Sequence, residues 1–183
     1  KPEKPQKTSL ENANCQSWVK SKDFVLRPIT IKDSLGYLEC HQDKEAKRNF
    51  MLLPKNLREA KKEIQESFKN PSLYFVIDVH GEFAGFVHLK LNDNPKSKHS
   101  AIIGYGINPK FRGRGLATAA TKLVTDYGFK KLKLKRISGL CRTFNKASAR
   151  VLEKCGYKLE GILKKNKFKD GKYLDDMVWA KVK

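Results

Sequence analysis

The stretch SAIIGYGINPKFRGRGLATAATKLVTDY, residues 100–127, constrains this chain more than any other. An apolar run, SAIIGYGI (100–107), leads into a turn where Gly113 and Gly115 are interleaved with Arg112 and Arg114. Leu116, Ala120, Leu123, Val124 and Tyr127 then recur at helical spacing, so the pattern predicts strand, tight turn and helix in direct succession. Because the run is apolar on both faces, it belongs in the middle of a sheet. Glycine leaves no Cβ between backbone N–H groups and a ligand. The first amides of a helix have no acceptor inside it, and the macrodipole adds partial positive charge there. A diphosphate suits such a mouth, with charge-assisted contacts from Arg112 and Arg114 and longer-range attraction from Lys110. An ordinary tight turn with solvated arginines would use the same residues.

Around this unit the chain reads as a single α/β (α+β) domain, which 183 residues can supply with a proper core. DFVLRPIT (23–30) is a short strand with Pro28 near its end, and residues 31–50 are helical but poorly periodic. In NLREAKKEIQESFKNP, Asn56 and Glu59 form a capping pair, Leu57, Ala60, Ile64 and Phe68 share a face, and Pro71 closes the segment. LYFVIDV (73–79) and FAGFVHLKL (83–91) flank His80-Gly81-Glu82 as a hairpin, followed by the loop NDNPKSKH (92–99). RISGLC (136–141) is a strand, and Asn145 caps a helix carrying Ala147, Val151, Leu152 and Cys155, stopped by Gly156. Two strands close the chain, near YKLEGILK and YLDDMVWAKV. The predicted order is β-α-α-β-β-β-α-β-α-β-β in a mixed sheet.

Residues 1–22 lack the apolar core of a signal peptide and read as a flexible basic arm before a domain spanning 23–183. Nowhere do 18 apolar residues run together, so no membrane contact is expected. Cys15, Cys40, Cys141 and Cys155 form no C-x-x-C pair, which argues against a metal site and a disulfide framework and for reduced thiols in the cytoplasm. Cys40-His41 resembles a nucleophile and its base, but sequence neighbours seldom face each other. The formal net charge of +20 favours polyanions such as ribosomal RNA, or anionic cofactors. Against RNA, the lysines crowd only in FKKLKLKR (129–136) and LKKNKFKDGK (163–172), with no aromatic-studded motif.

Three phosphate-binding patterns compete for the glycine turn. A P-loop needs Gly-Lys-[Ser/Thr], whereas Gly115 is followed by Leu-Ala-Thr. A dinucleotide fold needs a third glycine where Thr118 stands, and a carboxylate after the next strand, where Cys141-Arg142-Thr143 offers none. The third pattern fits: RGRGLA (112–117) matches [RQ]-x-x-G-x-[GA], the acyl-CoA diphosphate loop of the Gcn5-related N-acetyltransferases (GNAT). NKASARVLEKCGYKLEG (145–161), KDGKYLDDMVWA and FVLRPIT extend the resemblance to the branch that acetylates ribosomal-protein amino termini, the RimJ/RimL-like branch.

The resemblance implies a mostly antiparallel sheet flanked by helices, with two central strands splayed apart to admit the pantetheine arm of acetyl-CoA. Backbone at Gly106 and Ile107 would pair with that arm, and the amides from Gly113 through Leu116 and Ala117 to Thr118 would hold the diphosphate. Asn145 resembles the family asparagine that reaches the arm, and Arg150 is placed to approach the nucleotide phosphate. Many members carry a tyrosine acid where this chain has Leu152; the ribosomal-protein branch carries a serine instead, here Ser148, the candidate catalytic residue. The branch's glutamate base is replaced by Ile102, although Glu160, Asp175 or Asp176 could swing in.

That missing base bears on the acceptor. A chain-terminal amine of pKa about 7.7–8.0 is roughly a tenth neutral at pH 7, a lysine amine near 10.4 only about 0.04 %. A site without a strong base therefore favours a protein α-amine or a weakly basic small molecule. A polyamine would be repelled by the net charge of +20. A non-catalytic acyl-CoA-binding module is the competing class.

Overall fold

Two glycine-containing turns and one interrupted ladder organise the chain. The computed structural model describes residues 19–51, 53–68 and 72–183. The amino-terminal half contributes β1 (Val19–Lys20), β2 (Val25–Pro28), α1 (Ser34–Glu39), α2 (Lys44–Asn49) and α3 (Leu57–Ser67). The middle contributes β3 (Ser72–Val79), β4 (Glu82–Leu91), β5 (Ser100–Ile107) and α4 (Leu116–Lys130). The remainder is β6 (Arg136–Arg142), α5 (Lys146–Lys154), β7 (Lys158–Lys169) and β8 (Lys172–Val182). The strands form one sheet in the order β1-β2-β3-β4-β5-β6-β8-β7, antiparallel except where β5 meets β6. At the β3–β4 turn His80 and Gly81 both have positive φ, 53° and 87°, and the Gly81 amide donates to Asp78 Oδ1 at 2.7 Å. This is the turn a two-residue hairpin requires.

Strand alternation assigns the two faces. Phe75, Ile77, Val87, Leu89, Ile103 and Ile137 point to one side, where α4 and α5 bury Leu116, Ala120, Val124 and Leu152 against them. Val76 and Phe86 point to the other, where α1 and α3 bring Tyr37, Ala60 and Ile64. Each of the larger aliphatic and phenylalanine side chains, fully buried, contributes roughly 1.5–3 kcal/mol.

The predicted elements are present, with four differences. The sheet begins at β1, before the boundary expected at residues 22/23, because Val19 and Lys20 pair with Leu26 and Val25; residues 1–18 lie outside the described residues. Residues 31–50 form two short helices rather than one, the second started by Asp43, whose side chain accepts from the Ala46 amide. In α3 the expected cap holds, with Asn56 accepting from the Glu59 amide at 3.0 Å, but only Ala60 and Ile64 are buried. Leu57 and Phe68 stand exposed at the ends of the stripe; Pro71 lies outside the described residues. The last hairpin runs on to an Asp170-Gly171 turn, both at positive φ. Cys40 and His41 are buried in the α1 side of the core, where burial pushes the Cys40 thiol up to about 12 and the Tyr37 carbonyl meets His41 Nδ1. They are packing residues rather than a nucleophile and base.

Candidate active site

The site starts from a ladder that stops early. β5 and β6 pair in parallel only at Ser100–Arg136, Ala101–Ile137 and Ile102–Ser138. β5 then continues to Ile107 along β4, and β6 to Arg142 along β8, with no further pairing between them. Two strand edges with unpaired backbone groups thus face one cleft of about 500 Å³. The glycine turn closes one end of it, and the first two turns of α5 form one wall.

The turn is built from below. Asn108 is buried, accepts from the Lys110 amide at 3.2 Å and donates from Nδ2 to Glu39 at 3.0 Å, which ties the loop to α1. Gly113 and Gly115 then take φ of 78° and 76°, a region that costs residues with a Cβ roughly 1–2 kcal/mol, and a Cβ built on either would meet no atom within 4 Å. The first helical bond of α4 runs from the Ala119 amide to Gly115 C=O at 3.1 Å. The amides of Leu116, Ala117 and Thr118 therefore have no acceptor inside the helix, and all three residues line the cleft.

The two arginines of the turn part company. Arg112 donates from its guanidinium to both oxygens of Asp43 at 2.6 and 3.0 Å, to Glu45 at 2.8 Å and to Ile107 C=O at 3.3 Å. That contact holds Asp43 below the usual carboxylate range. The guanidinium that the sequence reading gives to a diphosphate lines the cleft and is held by these carboxylates as a strut clamping α2 to the end of β5. Arg114 is exposed, its guanidinium 5.3 Å from the Phe111 ring centre. Arg150 is exposed on α5 and stands outside the cleft lining, whereas Gly106, Ile107 and Asn145 lie within it.

Asn145 caps α5 by accepting from the Ser148 amide at 3.1 Å. This brings Ser148 Oγ to 2.9 Å from the hydroxyl of Tyr105, which also reaches Ser148 C=O at 3.0 Å. Either hydroxyl can donate in the Tyr105–Ser148 bond; with the phenol proton given to Oγ, the serine proton is left to point into the cleft. Burial pushes the Tyr105 phenol above its ordinary range, and it also raises the Cys141 thiol, which Ser148 contacts. The sequence reading missed Tyr105; its alternation with Gly104 and Gly106 on a central strand was the available signal.

Of the carboxylates considered as bases, Glu160 pairs with Arg136, and Asp175 with Lys164 at 3.0 Å. Only Asp176 lines the cleft, nearly fully buried against Arg142 and accepting from Asn166 at 2.7 Å. Ile102 is 44 % exposed at the paired end of the slot. Leu152, 1 % exposed, packs over the position where a Cβ on Gly139 would stand.

The opposite face of the slot carries His88, which the sequence reading did not single out. It pairs with Gly104 in the β4–β5 register and stacks on Tyr74 from β3, ring centres 4.9 Å apart. The ring fills the place of the missing side chain: a Cβ on Gly104 would stand 2.6 Å from Nε2. Nδ1 is enclosed and has no hydrogen-bond partner. Burial, aided by the charge of Lys90, pushes the imidazole down to about 4, so it is neutral at pH 7. Among the described residues, no cluster of three or more His, Cys, Asp or Glu is placed to hold a metal ion. No described helix is long and apolar enough to cross a membrane.

A splayed sheet with a glycine turn at one end of the slot defines a class. The model of the acetyltransferase (GNAT) domain matches residues 23–158, and the chain belongs to that family. It is similar to the probable N-acetyltransferase YjcK of Bacillus subtilis, 43 % identical over 81 residues, which is 44 % of this chain and 45 % of that protein. It is also similar to spermidine N(1)-acetyltransferase of Escherichia coli, 36 % identical over 100 residues, 54 % and 52 % of the two chains. The chain spans about half the length of these curated relatives. Its fold resembles that of RimL, a ribosomal L7/L12 alpha-N-protein acetyltransferase solved with coenzyme A, with a TM-score of 0.78 at 22 % identity over 88 % and 95 % of the chains.

Proposed function

We propose that this protein is an acetyl-CoA-dependent N-acetyltransferase whose acceptor is a primary amine of low charge, foremost a protein or peptide α-amine. The observation that carries the reading is the interrupted β5–β6 ladder ending at a helix mouth with bare glycines. The slot suits a pantetheine arm: β5 beyond Ile102, down to Gly106 and Ile107, has no β6 partner and can pair with the arm's amides, with Arg112 already holding the Ile107 carbonyl. The turn suits a diphosphate: Gly113 to Thr118 present amides with open space above the glycines, and Arg114 is a nearby cation. Asn145 orients the first turn of α5 and with it Ser148. Bound acetyl-CoA supplies an activated thioester. Ser148, backed by Tyr105, is the proton donor for the departing sulfur. Ser148→Ala is expected to lower kcat by roughly 10² with coenzyme A affinity unchanged within a factor of about two. Steady-state kinetics and calorimetry read the two effects, and an unaltered kcat would leave Ser148 a packing residue.

The acceptor class follows from charge. Arg112, Arg114, Arg142 and Lys167 line the cleft against the carboxylates of Glu45 and Asp176, each of which is paired with an arginine. Among the described lining residues no carboxylate is left to attract a polycation. Thiol release from acetyl-CoA is therefore expected to be fastest with peptides bearing a free amino end, and slower with lysine-only peptides and spermidine. A clear preference for spermidine or lysine would overturn the acceptor assignment.

A further inference from the structure

The proposed transfer needs two proton positions on opposite sides of the reacting carbon. Tyr105 and Gly104 are consecutive in β5, so their faces are opposite. The Ser148–Tyr105 pair occupies the α5 face, and His88, laid over Gly104, occupies the other. The carboxylates that could have served this second face are unavailable: Ile102 stands at the family's glutamate position, and Asp176 is spent on Arg142 and Asn166.

We infer that His88 is the acceptor-side catalytic residue, its Nε2 receiving the proton that leaves the attacking amine. This rests on the acetyltransferase reading above. The amine nitrogen bonds to the acetyl carbon and the carbon–sulfur bond breaks. The amine proton passes to Nε2 and then to water, and the sulfur takes a proton from Ser148, which water restores. Three observations place the role on His88. Its ring is in the cleft lining. Its Nδ1 is walled in without a partner, which leaves Nε2 as the nitrogen open to the slot. The Gly104 backbone beneath it gives the ring access to the middle of the splayed edge. A histidine kept only for packing would do as well as phenylalanine, since its stacking partners are Tyr74 and Phe86.

The groups around the ring bear on its protonation. Tyr74 faces it from β3 and Lys90 lies along its own strand, while Glu45, Lys167 and Asp176 line the same cleft from α2, β7 and β8. Burial and Lys90 both oppose the imidazolium, so the ring is neutral and free to accept at pH 7, and as a weak base it must hand the proton on to water at once.

The test compares His88→Phe and His88→Gln with the wild type, using acetyl-CoA and the best peptide acceptor. Both variants are expected to lose roughly 10²–10³-fold in kcat, with coenzyme A affinity within about twofold of wild type. His88→Phe keeping more than a third of wild-type kcat would overturn the inference while leaving the acetyltransferase reading intact. No thiol release by the wild type with any amine would remove that reading and this inference together. Should the variants fail to fold, wild-type protein labelled with 13C at histidine Cε1 supplies the answer. Peptide acceptor added with the unreactive desulfo-coenzyme A is expected to shift one imidazole resonance, and four unmoved histidine signals would overturn the assignment.

Discussion

Gly115→Val is expected to abolish coenzyme A binding while leaving a folded protein. Two physical effects combine at this position. Gly115 sits at φ 76°, a conformation that β-branched residues all but avoid, so the substitution pulls the N-cap of α4 away from the geometry that presents its first amides. The added side chain also enters space that is open above the turn, where a Cβ would meet no atom within 4 Å. The strain is on the order of 1–2 kcal/mol, against a typical total stability of about 5–15 kcal/mol, so cooperative unfolding should survive with a lower midpoint. The ligand loses more, because the amides of Leu116, Ala117 and Thr118 and the space above them are removed together. Calorimetry should find affinity reduced more than 100-fold in Gly115→Val and less in Gly115→Ala, which adds only a methyl group. Affinity within threefold of wild type for the valine variant would show that the diphosphate lies elsewhere.

This turn was readable because every component is local. Strand, turn and helix follow one another within residues 100–130, and the glycines sit where positive φ is needed. The Asn145 cap and the β3–β4 hairpin were legible for the same reason. What escaped depends on distance along the chain. Arg112 is claimed by Asp43, 69 residues away, and no periodicity announces such a pair. The end of the β5–β6 ladder after Ile102–Ser138 depends on how β4 and β8 draw the two strands apart, which an apolar pattern does not encode; only the family resemblance pointed to it. His88 hid for a subtler reason. In FAGFVHLKL it reads as one more half-buried residue, and its exposure to the slot depends on the glycine that β5 places opposite it.

Asp176→Ala should be the most destabilising single change in the cleft. Its carboxylate is 3 % exposed and its partner Arg142 is 8 % exposed, so neither charge has water to fall back on. Arg142 already has one enclosed donor, Nε, without a partner, which leaves its charge dependent on Asp176. Removing one member of a buried pair strands the other, at a cost of about 3–5 kcal/mol, whereas replacing both by apolar groups of similar volume is often neutral. The expected order of stability is therefore wild type near Arg142→Met/Asp176→Leu, with Asp176→Ala well below both. For a chain this size each kcal/mol shifts Tm by about 2–4 °C, so the single variant should melt roughly 6–20 °C lower. A double-mutant cycle by thermal and urea unfolding measures the coupling. If Asp176→Ala melts within about 2 °C of wild type, water has replaced the carboxylate and the pair is not the dry strut its burial implies. The same outcome would put an uncompensated arginine in the cleft, and acidic peptide acceptors should then gain over neutral ones.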